Sequence, residues 1–109
     1  MAYDEVLAER VRDVLGDIEG LTTRKMFGGM AYMINGNMAC GVVDDTVMLR
    51  LGNEGAEEAL KADHVTPMDF TGRPMRSMVY LHEEGYADDT ALEEWVAKAV
   101  QFAEGLPRK

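Results

Sequence analysis

The dipeptide Asn35-Gly36 stands between two apolar runs, and it constrains the fold more than any other feature of the chain. A type I′ hairpin turn needs positive φ at both central residues, which Asn tolerates and Gly adopts at no steric cost. The flanking segments "MAYMI" (30–34) and "MACGVV" (38–43) are therefore expected to pair as antiparallel strands. Asp44-Asp45 offers a second turn, and "TVMLRL" (46–51) a third strand. Three strands joined by two short turns make a meander, with an extended piece at 22–26 as a candidate strand before it.

Amphipathic segments surround this meander. In 4–18, Leu7, Val11, Val14, Leu15 and Ile18 recur at spacings of three and four, predicting a helix with one apolar face and Asp4 as its N-cap. Residues 53–62 read as a short helix with an acidic outer side. The stretch 65–74 carries two prolines and a glycine, which allow only an edge strand or a loop, and 75–82 reads as a clear strand. "EEGYADD" reads as a loop. Residues 90–104 form the best helix: Leu92, Trp95, Val96, Ala99, Val100 and Ala103 make a stripe, and Thr90 with Glu93 has the capping-box spacing. Trp95 is expected to anchor this helix to the sheet. The order α-β(3)-α-β(2)-α points to an α+β fold, a two-layer sandwich of one antiparallel sheet with helices on one face.

A chain of 109 residues suits a single domain spanning 1–109. Its net charge of −9 repels duplex DNA and anionic membranes at long range, so direct nucleic-acid binding and membrane association are not expected. No segment resembles a leader or a membrane span, and the expected location is the cytoplasm. Cys40, the one cysteine, can form neither an internal disulfide nor a thiolate cluster, and sits mid-strand as a small hydrophobe. His64 and His82 lie far apart without metal-ligand patterns around them. No metal, no cofactor and no catalytic residues are expected.

The segment "RKMFGG" holds the first candidate site: Arg24, Lys25, Phe27, Gly28 and Gly29. Two cations beside glycine-exposed amides could bind an anion or a peptide. A glycine pair marks a turn more often than a ligand, so a bend that seats Phe27 in the core is the favoured reading. Arg50, Arg73 and Arg76 are the other cations of the strand region. All three could join Arg24 and Lys25 in a basic patch on the helix-free face of the sheet, or Arg50 and Arg73 could instead pair with Asp44, Asp45 or Asp69. In an extended strand Arg24 and Lys25 face opposite ways, so at most one can join such a patch, and Arg24 is the better candidate. Eight of the nine methionines (Met26, Met30, Met33, Met38, Met48, Met68, Met75, Met78) lie in or beside strands. Alternation is expected to turn some of them outward, where exposed Met and Tyr would mark an association surface.

Four segments together, "RKMFGGMAYMINGNMACGVV", "LRLG", "DFTGRPMRSMVYL" and "LEEWVAKAVQFAEGLPRK", resemble the N-terminal domain of the TfoX/Sxy family from Tyr3 to Lys109. The resemblance implies a secretion-chaperone-like α-β(3)-α-β(2)-α fold. It also implies kinship with coactivators of transcription that regulate natural competence, whose longer members carry a C-terminal helical domain; this chain is expected to be a single-domain member. The expected function is a non-enzymatic regulatory or protein-interaction module that binds an unidentified protein partner or forms a homodimer. The alternative is a small-molecule or anion-binding protein, conceivably an enzyme, using Arg24, Lys25, Arg50 and Arg73.

Overall fold

A computed structural model describes residues 3–26, 28–70 and 73–107. Helix α1 (Glu5–Leu15) starts at Asp4, whose Oδ1 accepts from the amides of Val6 and Leu7 at 2.9 and 3.1 Å. It ends three residues before the expected boundary, where the chain leaves the helix at Gly16. Four strands follow: β1 (Leu21–Met26), β2 (Gly29–Ile34), β3 (Asn37–Val43) and β4 (Thr46–Arg50). Then come α2 (Gly52–Ala59), the hairpin strands β5 (Val65–Phe70) and β6 (Arg73–Leu81), a single helical turn α3 (Glu83–Tyr86) and α4 (Asp89–Glu104).

The strands form one antiparallel sheet in the order β1-β2-β3-β4-β6-β5. The α+β sandwich therefore stands, with two additions to the expected order. The piece at 22–26 is a full edge strand, and "EEGYADD" contains α3 rather than only a loop. The turn at Asn35-Gly36 has φ values of 53° and 85°, the signature of the I′ hairpin. Asp44 at φ 51° makes the second turn. The expected capping box at Thr90 and Glu93 is replaced by Asp88, whose Oδ2 accepts from the Ala91 amide at 3.2 Å. A carboxylate two residues upstream already holds the first turn, and Thr90 lies inside the helix.

The sheet is buried on both faces. On one side Ile34, Cys40, Val42, Val47, Leu49, Val79 and Leu81 pack against Leu7 and Val11 of α1 and against Leu92, Val96, Ala99 and Ala103 of α4. On the other side Ala31, Met33, Met38, Met48, Met68 and Met78 form a second cluster built from strand residues alone. Its members are at most 9% exposed. The expected association surface of outward methionines is thus corrected: these methionines are core. With no helix in the cluster, the strands cover one another, which calls for a curved sheet. Two breaks in register supply places to bend. Ala39 is an extra residue between the pairs Tyr32↔Cys40 and Met33↔Met38, and β6 jumps from Val79 to Met75 while β5 moves only from Pro67 to Met68. Unbranched thioethers fill the irregular interior of such a bend better than β-branched side chains do.

Trp95 packs against the helix-side core, as expected of an anchor for α4, but at its margin. It is half-buried, and its ring meets His64 edge-on, with centroids 6.2 Å apart, while the Lys98 ammonium lies 4.7 Å above it. It ties α4 to the link between α2 and β5 rather than to the centre of the sheet, which Leu92 and Val96 reach instead. Leu92→Ala is expected to cost about 2–5 kcal/mol. Gly36→Val is expected to cost about 1–2 kcal/mol, since a β-branched residue resists positive φ. Urea titrations of both variants check these values; an unchanged midpoint for Gly36→Val would contradict the turn assignment.

Candidate interaction site

Cross-strand register fixes the direction of each sheet cation. Arg24 stands opposite Ala31, a member of the methionine cluster, and Lys25 opposite Met30, which packs on the helix side. The two side chains therefore leave opposite faces of β1, as an extended strand requires. Both are exposed. Gly29 opens β2 beneath the Val42 carbonyl of β3, so closely that a Cβ there would collide with that backbone. Gly28 has φ 76° with open space around it. The glycine pair thus sets the passage from β1 to β2. Phe27, expected in the core, lies outside the described residues.

The remaining cations are distributed rather than gathered. β1 is the outermost strand, β4 lies three places inward and β6 four, so Arg24 has neither Arg50 nor Arg76 on an adjoining strand. Arg50 lies over the Phe102 ring, 5.6 Å from its centroid, with a long contact of 3.5 Å from its guanidinium to the Met38 carbonyl. Arg73 begins β6 opposite Phe70. Arg76 is exposed in the stretch of β6 that leaves the β5 ladder. None of Asp44, Asp45 and Asp69 pairs with Arg24, Arg50 or Arg76. The ion pairs among the described residues are Arg10–Asp89 at 2.9 Å and Lys61–Glu58 at 3.1 Å.

A pattern emerges from the side chains described. Arg10 donates to Asp89 and to the Tyr86 carbonyl, Arg12 to the Gly16 carbonyl, and Lys61 to Glu58, while Arg50 and Lys98 lie over aromatic rings. Arg24, Lys25 and Arg76 have no such partner. These three uncompensated cations occupy two places. Arg24 and Lys25 sit on the free edge of the sheet, where residues 22–25 are all exposed. Arg76 borders a cleft of about 350 Å³ between α2 and the hairpin, floored by Pro67, Met68, Met75 and Met78 and lipped by Leu60 and Glu57. The register jump in β6 opens this cleft, because it withdraws Arg76, Ser77 and Met78 from β5. Sequence alone carries no signal for that jump beyond Pro67, which cannot donate to a ladder.

The titratable interior groups have structural roles. The Tyr32 hydroxyl donates to the Ala8 carbonyl at 2.9 Å, joining α1 to β2, and burial raises its pKa. The Tyr86 hydroxyl donates to the Asp45 carbonyl, with its pKa raised by burial and then by Asp45. His82 Nε2 lies 2.7 Å from the Thr66 hydroxyl. Among the described residues no group of three or more His, Cys, Asp or Glu side chains is placed to hold a metal ion, and no helix is long and apolar enough to cross a membrane.

The fold and these surfaces define a small α+β domain whose distinctive chemistry lies at a sheet edge and a shallow cleft. A family model, the TfoX N-terminal domain, matches residues 13–103, and the chain belongs to that family. No curated protein and no solved structure matches it.

Burial pushes the Cys40 thiol up to about 12. The folded protein is therefore expected to resist iodoacetamide at about pH 8, where a free thiol reacts readily. Labelling followed by mass spectrometry should track unfolding; prompt labelling under native conditions would show the site open. The sign for stability follows. Because the folded value lies above the reference of 9.0, the unfolded chain loses this proton first as pH rises, and the contribution of the neutral thiol declines from about 9 towards 12.

Proposed function

We propose that this domain is a non-enzymatic regulatory module that takes an extended, acidic segment of a protein partner onto the free edge of β1. The observation that carries this reading is the edge itself: exposed strand residues with an unpartnered cation on each face. Main-chain groups on the outer side of an edge strand can pair with an added strand, and side chains then select which strand is accepted. Arg24 and Lys25 repel a basic segment and attract an acidic one from both faces. The opposite edge is poorly suited, because Pro67 lacks an N–H and the ladder breaks beside it. Gly28 and Gly29 contribute by fixing the β1–β2 passage and so the aim of both cations. Membership of a family linked to competence regulation fits a regulatory role. With a net charge of −9, the domain would act through proteins rather than on duplex DNA.

A second reading has one observation behind it. The cleft beside Arg76 joins a methionine floor to an unpartnered guanidinium, a combination that suits a small apolar anion.

A short synthetic peptide of valines with two adjacent glutamates, which an extended strand turns to opposite faces, separates the two. It is expected to slow hydrogen exchange at the β1 amides. Each exposed ion pair contributes about 0–1 kcal/mol, so Arg24→Glu with Lys25→Glu, which also adds repulsion, should weaken binding about tenfold or more. A lysine–valine peptide should not bind. If the glutamate peptide fails to bind the wild type, and octanoate instead shifts the Leu60 and Met75 methyl signals in a manner lost in Arg76→Gln, the second reading replaces the first. Dimerisation of the free protein through β1, seen by sedimentation and lost in the doubly reversed variant, would identify a second copy as the occupant.

A further inference from the structure

A shallow groove runs between α4 and α1 with its exit segment, on the helical layer. It has a volume of about 560 Å³. Val14, Ile18, Val96 and Val100 line its floor, and Glu93, Glu94 and Glu104 stand on its lip. Glu93, Ala97, Val100 and Glu104 recur at spacings of four, three and four, so they form one stripe along α4. That stripe is acidic at both ends and apolar between. At 1.5 Å per residue, the end carboxylates are separated by roughly 16 Å, about three helical turns.

Among the described residues, opposite charge is absent from this groove for an identifiable reason. Every cation of α1 and α4 is turned elsewhere: Arg10 to Asp89 and the Tyr86 carbonyl, Arg12 to the Gly16 carbonyl, and Lys98 over Trp95. None of Glu93, Glu94 and Glu104 has a hydrogen bond or ion pair among the described residues. A partner that carries the opposite charge is therefore the complementary occupant. A second copy of this chain is a poor candidate. Two antiparallel α4 helices related by a twofold axis would set Glu93 against Glu104, and like charges so placed repel.

We propose that the α1–α4 groove docks an amphipathic helix of a partner protein, about three turns long, with apolar residues at its middle and Lys or Arg at both ends of the same face. The apolar residues cover Val14, Ile18, Ala97 and Val100, and the cations meet Glu93, Glu94 and Glu104. Helix-in-groove recognition needs this combination: an apolar stripe for affinity and end charges that set register. The net charge of −9 steers such a partner from a distance, so association falls with added salt.

The test uses two synthetic helical peptides of the same apolar pattern, one with lysine and one with glutamate at its ends, and the full chain. The lysine peptide is expected to bind and to shift the Val14, Ile18 and Val100 methyl signals; the glutamate peptide is not. Reversal of Glu93, Glu94 and Glu104 to Lys should weaken the lysine peptide by about tenfold or more and confer binding of the glutamate peptide. Ala97→Arg, on an exposed position, should block both by bulk. Reversal of Glu54, Asp63 and Glu84, exposed acids away from the groove, holds the change in net charge equal and should leave binding within about twofold. Equal loss in the two triple variants would reduce the effect to net charge and overturn the proposal. So would methyl shifts confined to other surfaces, no saturable binding at all, or self-association of the wild-type chain through this groove. Because none of these residues lies on β1, failure here leaves the strand-edge reading to its own test.

Discussion

Burial of the β2–β3–β4 meander on both faces is the constraint from which the rest of the structure follows. Ile34, Cys40, Val42, Val47 and Leu49 must be covered by helices, and α1 and α4 supply the cover. Ala31, Met33, Met38 and Met48 on the reverse must be covered too, and there the sheet does it with Met68 and Met78 from the hairpin. A flat sheet could not bring outer strands over inner ones. The extra residue at Ala39 and the jump in β6 give the sheet places to bend. The cleft beside Arg76 is a direct consequence of the second.

The same burial pushes all distinctive surface chemistry outward. The centre of the sheet is buried on both faces, and one strand edge, the cleft beside the hairpin and the outside of the helical layer are among the surfaces left for recognition. Charge is sorted among these places. Arg24 and Lys25 hold the edge, whereas the α4 side of the helical groove is lined by Glu93, Glu94 and Glu104. A basic edge and an acidic groove favour ligands of opposite charge. The chain that carries this arrangement belongs to the TfoX N-terminal domain family, which fits a regulatory role.

The interior polar groups serve this architecture. Tyr32 and Tyr86 donate to backbone carbonyls from buried rings, each joining a helical segment to the sheet region. Asn37, 3% exposed, donates to the Pro107 carbonyl at 2.9 Å and holds the chain beyond α4 against the start of β3. Trp95, meeting His64, extends the hold of α4 to the α2–β5 link. Each contact joins elements distant in sequence, and together they help fix the helices on the sheet.

Local chemistry in the sequence determined the elements. Asn35-Gly36 fixed the hairpin because few residue pairs adopt positive φ twice, Asp4 fixed a helix start because its carboxylate reaches the first free amides, and Pro67 confined β5 to an edge because it has no N–H to give. Only tertiary structure decided the rest. Whether a methionine faced solvent or a second core depended on sheet curvature, which arises from register breaks between strands and leaves no periodic trace. Which side chain capped α4 depended on where the preceding chain entered, and so Asp88 displaced Thr90. The candidate site was legible in part: alternation placed Arg24 and Lys25 on opposite faces, but their want of partners could be known only once every other acid and base had been placed. The groove on α4 was written as a four-three-four stripe, yet its meaning depended on Arg10, Arg12 and Lys98 turning away, because charge compensation is a property of packed neighbours and not of sequence order.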